Sequence, residues 1–208
     1  MTDQVTGTGH DSDSGICLDD AMSTPGAPQP LSADELLDIV DAHDRVTGQA
    51  TRGEATARRL RHRCTFILAR DPDDRIFVHR RTAAKLVFPS MYDMFVGGVV
   101  GAGESYDDAA KREAEEELGV SGLTVAPLFR FLYESPQHTW WSAVYETRTP
   151  VAVRPQAEEV AWHAFLTEEE LAARLPAPAA EGAAWPWVPD GLAAWHRLTL
   201  WRATPTRR

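Results

Sequence analysis

Between about residue 35 and residue 166 apolar positions alternate with polar ones or run in short unbroken stretches, a pattern that predicts strands. "ELLDIVDAHDRVTGQATR" (Glu35 to Arg52) reads as two short strands around a polar turn at Ala42 to Arg45. "CTFILAR" (Cys64 to Arg70) and "RIFVHRR" (Arg75 to Arg81) flank "DPDD", a turn-former by composition, and predict a hairpin. "MFVGGVV" (Met94 to Val100) reads as a strand running into glycines, and "LTVAPLFRFLYES" pairs with "HTWWSAVYETR" around Pro136 and Gln137. "VAWHAFL" (Val160 to Leu166) is one more strand before a helix at "TEEELAARL", and a last amphipathic piece lies near Leu192 to Trp201. The clearest helix is Tyr106 to Leu118. Ser105 can accept an orphan amide hydrogen at its start, Asp108 suits the positive end, and Gly119 tolerates the left-handed turn that stops it. Strands interleaved with helices predict an α/β (α+β) architecture, a mixed sheet sandwiched between helices.

Charge divides the chain. The 208 residues carry a net charge of -10, with ten acidic residues and no Lys or Arg before Arg45, against 21 acidic and 21 basic from there on. Residues 1–30, rich in Asp, Ser, Thr, Gly and Pro, cannot bury enough apolar surface to offset ordering and are expected to be disordered. Residues 31–175 are then the folded domain and 176–208 a C-terminal extension with a short helix. A near-neutral domain lacks the basic face that nucleic acid demands, so no nucleic-acid partner is expected. No apolar run approaches the roughly 18–20 residues needed to cross a bilayer, and the N-terminus lacks the pattern of a signal peptide. No membrane partner is expected, and the cytoplasm is the expected compartment. Cys17 and Cys64 read as a tail thiol and a small buried hydrophobe rather than a disulfide framework, and none of the seven His has a metal-like spacing partner.

The helix ends against local rules. Glu113, Glu115, Glu116 and Glu117 crowd its C-terminal half, where partial negative charge and like neighbours both disfavour them. Steps of 100° place Glu113, Glu116 and Glu117 on one arc, with Glu115 pointing elsewhere, solvent-facing and expendable. Three converging carboxylates suit a hard divalent cation such as Mg2+ or Mn2+. A solvated acidic face neutralised by Lys111 and Arg112 is the plainer alternative. Before the helix, Gly97, Gly98, Gly101 and Gly103 let the backbone approach a ligand or turn through positive φ.

The spacing of the whole stretch decides between them. Gly98, five residues, Glu104, seven residues, Arg112, Glu113, Ala114, one free position, Glu116, Glu117, one free position, Gly119 and Val120 reproduce G-x5-E-x7-R-E-U-x-E-E-x-G-U. The chain resembles a Nudix hydrolase over roughly residues 35–175, with Ala114 the one soft departure. The resemblance implies the Nudix fold, dependence on Mg2+ with Mn2+ as a substitute, and hydrolysis of a small-molecule substrate, a nucleoside diphosphate linked to another moiety. Carried over position by position, it makes Glu113, Glu116, Glu117 and the Gly97 carbonyl the metal ligands, with Glu104 and Arg112 orienting them. Glu158 or Glu159 supplies a base or extra ligand, or is a plain rim acid.

Arg81 and Lys85 lie upstream of the glycines, where they either clamp a diphosphate or serve surface solubility. Trp140 and Trp141 must point to opposite sides of their strand, one of them into a cleft or both into packing. The stretch from "DIVDAHDRVTGQATR" through "VGGVV" also resembles type 1 isopentenyl diphosphate isomerase. There Gly97 stands where that family has its essential Cys and Val99 where it has its metal-binding His, so an isomerase-like hydrolase is the closer match. A catalytically silent nucleotide-binding module is the remaining reading, and the intact acidic set argues against it. Trp185, Trp187, Trp195 and Trp201 either cover the domain or meet a second subunit in a homodimer.

Overall fold

The computed structural model describes residues 33–149, 152–176 and 185–204; the segment 1–30 expected to be disordered lies outside them, as does Cys17. β1 (Leu36–Val40) and β2 (Val46–Thr51) form a separate antiparallel hairpin, around the polar turn the sequence predicts. Asp41 holds that turn, its Oδ1 accepting from His43 N at 2.7 Å and Arg45 N at 3.1 Å. A helix the hydrophobic pattern did not signal follows, α1 (Arg52–Ala57). Thr51 and Glu54 cap it reciprocally, each side chain taking the other's backbone N–H.

The main sheet has six strands. β3 (His62–Arg70), β4 (Ile76–Arg81), β5 (Tyr92–Asp93), β6 (Val125–Glu134) and β7 (Thr139–Arg148) run in the order β5-β4-β3-β7-β6, and β8 (Val160–Leu166) pairs with β4. β3 and β7 are parallel along their whole length, from His62 opposite Trp140 to Arg70 opposite Arg148, and every other pairing is antiparallel. The expected β3–β4 hairpin forms but pairs only at Arg70 and Ile76. The two strands then part, and residues 96–100 take the free edge of β3.

That segment is not the strand its composition predicts. Val96 and Ile67 exchange bonds of 2.7 and 3.0 Å, and Thr65 N reaches Gly98 O at 2.8 Å, but only isolated bridges result. Gly97 is the reason. Its φ is 144°, and a Cβ there would stand 2.1 Å from Thr65 O, so the chain bends across β3 instead of following it.

Alternation along β3 divides the core between two faces. Ile67 and Ala69 face α2 (Tyr106–Leu118) and bury against its Ala110, Ala114 and Leu118. Phe66 and Leu68 face the other way, against Ala55 of α1, Leu171 of α3 (Glu168–Ala172), and Ala194 and Leu198 of α4 (Pro189–Ala203). The sheet is therefore sandwiched between helices, as expected. The helix foreseen near Leu192 to Trp201 is fifteen residues long and belongs to this core. Trp187 is buried, with Nε1 donating to Arg174 O at 2.9 Å, and Trp185 stacks on Tyr92 with centroids 4.2 Å apart. Trp201 stays half exposed beside Phe129. No helix among the described residues is long and apolar enough to cross a membrane.

Candidate active site

α2 supplies the acids, and its boundaries are those the sequence predicts. Ser105 Oγ accepts from Asp108 N at 3.1 Å, and Gly119 closes the helix at φ 62°. The small Ala110 and Ala114 let the helix lie close on the sheet, which turns Glu113, Glu116 and Glu117 toward the parted strands. All three line a cavity of about 290 Å³, together with Arg112, Gly97, Gly98, Arg81 and Lys85. Glu104 stays off the cavity wall and acts through Arg112. Its two oxygens accept from Arg112 Nε and Nη2 at 2.9 Å each, while Oε2 also accepts from Gly101 N at 2.9 Å. This fork holds the guanidinium where Nη1 donates to Glu113 at 2.8 Å and Glu116 at 3.4 Å.

Electrostatics follow from the crowding. Burial, then the neighbouring Glu117 charge, pushes the Glu113 carboxyl up to about 7 despite Arg112. Burial alone would raise Glu104 as well, but the Arg112 bonds hold it below the usual carboxylate range. Burial lowers Lys85, which sits between Glu117 at 3.5 Å and Glu159. Of the two candidate rim acids, Glu159 lines the cavity, while Glu158 offers its backbone carbonyl to Thr82 Oγ1 at 2.8 Å.

The residues fit a hard divalent cation. Glu113, Glu116 and Glu117 offer only oxygen, and Arg112 and Lys85 are drawn in among them as the nearest positive charges. Among the described residues no three acids, His or Cys already stand in a closed metal-binding arrangement; Arg112 bridges Glu113 and Glu116, and Lys85 pairs with Glu117. The close approach needs Gly98: a Cβ there would lie 2.6 Å from Glu113 Oε1.

Other wall residues escaped the sequence reading. Glu35 and Arg52 come from the small hairpin and the start of α1, and Asp93 and Asp190 from β5 and the first turn of α4. None of them stands in a spacing that marks a site, and only tertiary packing brings each to the cavity. Trp140 lines the cavity and is buried, while Trp141 points away, with Nε1 donating to Asp41 O at 3.4 Å, as strand alternation requires. His62 and His138 also line it; His79 is buried beside Phe77, and burial with the Arg81 and Lys85 charges pulls it down to about 3.

Comparison with known proteins agrees with this geometry. Residues 60–190 match the NUDIX domain family. Over 173 residues the chain is 66% identical to an uncharacterized Nudix hydrolase of Streptomyces coelicolor, SCO1686, across 82% of this chain and 92% of that protein. It is 37% identical over 171 residues to the uncharacterized Nudix hydrolase YfcD of Escherichia coli K12, across 82% and 88% respectively. Among solved structures, DR0079 of Deinococcus radiodurans superposes with a TM-score of 0.64 at 32% identity, over 79% of this chain and 98% of that one.

Proposed function

The chain belongs to the Nudix hydrolase family, whose enzymes act on diphosphate bonds, and on that premise we propose that it hydrolyses a nucleoside diphosphate linked to another moiety with the aid of Mg2+. The observation that carries this reading is the convergence of Glu113, Glu116 and Glu117 with Arg81 and Lys85 on one cavity. Mg2+, or Mn2+ in its place, held by the three glutamates and the Gly97 carbonyl, would neutralise the diphosphate and help generate hydroxide from water.

The chain's own residues supply position and charge. Glu104 fixes Arg112, and Arg112 fixes Glu113 and Glu116, so the carboxylates meet an incoming group already oriented. Arg81 is anchored by Nη2 on Val87 O at 3.1 Å, and with Lys85 it brings positive charge to the other wall, where a diphosphate needs it. Glu159, held by Lys85, lies within the same cavity to accept a proton from attacking water. Isomerase chemistry has less support. Position 97 cannot carry a cysteine side chain without collision with Thr65 O.

The test is a panel of dinucleoside polyphosphates, nucleotide sugars, coenzyme esters and isopentenyl diphosphate with Mg2+ or Mn2+, products identified by mass. Cleavage of a diphosphate bond is expected, abolished in Glu116→Gln while its thermal midpoint stays near wild type. Turnover of none of the panel would turn the reading toward a silent binding module.

A further inference from the structure

The turn between β1 and β2 carries a side chain that the turn itself does not use. Asp41 already closes it, through the bonds its Oδ1 takes from His43 N and Arg45 N. Asp44 stands in the same turn at φ 61°, a left-handed backbone that suits Gly, Asn or Asp. Local structure therefore explains a small turn residue here and asks nothing of its carboxylate. Three other elements bond that carboxylate instead. Its Oδ1 accepts from Arg63 Nε of β3 at 2.6 Å and its Oδ2 from Arg130 Nη1 of β6 at 3.1 Å. Tyr106 Oη, at the start of α2, donates between the two oxygens, 3.1 and 3.2 Å away. The Asp44 carbonyl also accepts from Arg63 Nη2 at 2.6 Å. Both guanidinium groups lie over the Tyr106 ring, 5.4 and 5.3 Å from its centroid. Burial and the Asp44 charge push the Tyr106 hydroxyl well up, so it stays a donor.

None of these four side chains lines the cavity, yet two paths lead from them to the glutamates. Tyr106 is the first residue of α2, and Glu113 stands seven positions on, two turns along the same face. The helix meets the sheet through Ala110, Ala114 and Leu118, and alanines offer shallow ridges that resist rotation about the helix axis only weakly. Polar bonds fix that rotation at its first turn: Asp44 holds Tyr106, and Tyr145 Oη donates to Asp107 Oδ1 at 2.6 Å. The second path is the glycine loop. Val100 N donates to Arg63 O, Ala102 N to Leu36 O and Gly103 N to Asp38 Oδ2, each at 2.9 Å, so the loop hangs between β3 and the hairpin. Asp44 joins those two supports through Arg63. Glu104 leaves the same loop and aims Arg112 at Glu113 and Glu116.

We propose that Asp44 is a positioning residue for the glutamate site: by holding Arg63, Tyr106 and Arg130 together it sets the rotation of α2 and the seat of the glycine loop, and with them where Glu113 and Glu116 meet a divalent cation. The proposal rests on the reading of those glutamates as a metal site. A plain anchor for the hairpin would affect stability and leave cation affinity alone, which separates the two roles.

The probe is Mn2+ without substrate, its free ion followed by electron paramagnetic resonance on the full chain, well below every thermal midpoint. Tyr106→Phe removes one hydroxyl and keeps the ring between the arginines. Asp44→Asn keeps the left-handed turn and removes the charge. Each should weaken Mn2+ binding about tenfold, the low end for losing a group that orients a ligand. Thr167→Ala is the control: it removes the cap of α3, away from the cavity, and should lower the midpoint while leaving Mn2+ affinity within about twofold of wild type. Tyr106→Phe carries the test alone if Asp44→Asn does not fold. Unchanged affinity in either folded variant, or an equal loss in Thr167→Ala, overturns the positioning role and leaves the metal site standing. A wild type that takes up no Mn2+ overturns the metal reading and the positioning role with it.

Discussion

Glu115 and Glu113 stand two residues apart on α2 and do opposite work. The sequence leaves Glu115 expendable in solvent, but its Oε1 accepts from Gly122 N at 2.8 Å and Leu123 N at 3.0 Å, pinning the turn that leaves the helix. Helical geometry gives the direction of a side chain; it cannot say which backbone returns to meet it after Gly119. Replacing Glu115 by Ala should cost about 1–3 kcal/mol in urea unfolding and leave kcat unchanged. Glu113, Glu116, Glu117 and Arg112 were legible because a fixed spacing names them, and all four face one cavity. Asp93 and Asp190 had no such spacing and became visible only through packing. Gly98→Ala should cut turnover about 10–100-fold with little change in fold, since the new methyl displaces the Glu113 carboxylate that a cation needs. Steady-state kinetics across Mg2+ concentrations would show the loss.

Among elements, α2 was legible at both ends because Ser105 and Gly119 mark them chemically. α1 was not: "RGEATA" carries one buried residue, Ala55, and no apolar period, so its helix depends on the reciprocal cap of Thr51 and Glu54. Thr51→Ala should lower stability by about 1 kcal/mol in chemical denaturation. It should also weaken ligand binding, because Ala55, Thr56 and Arg59 of this region line the cavity. The stretch Met94 to Val100 has the composition of a strand, yet Gly97 bends it away from regular pairing. That departure opens the cavity beside β3, so the place where composition misled is the place the site required.

At the scale of the whole molecule, buried acids tie stability to pH. Asp93 holds its proton in the folded chain up to about 8, whereas the unfolded chain releases it near 3.8. The contribution of Asp93 to stability is therefore full below 3.8 and is lost as pH rises toward 8. Asp93→Asn should flatten that decline, its thermal midpoint gaining on wild type between pH 5 and pH 8. Divalent metal acts on the same balance: Mg2+ should raise the wild-type midpoint by binding only the folded state, and less so in Glu116→Gln. The cavity itself spans the chain from Glu35 through Glu113 to Asp190. The glutamate helix precedes the last wall element, α4, by about seventy residues of sequence, so the wall is completed from the far end of the described chain. The acids acquire a complete chamber only where the segment entering that closing helix is tied to Tyr92, so a chain cut short before α4 would keep its glutamates and lose the room they face.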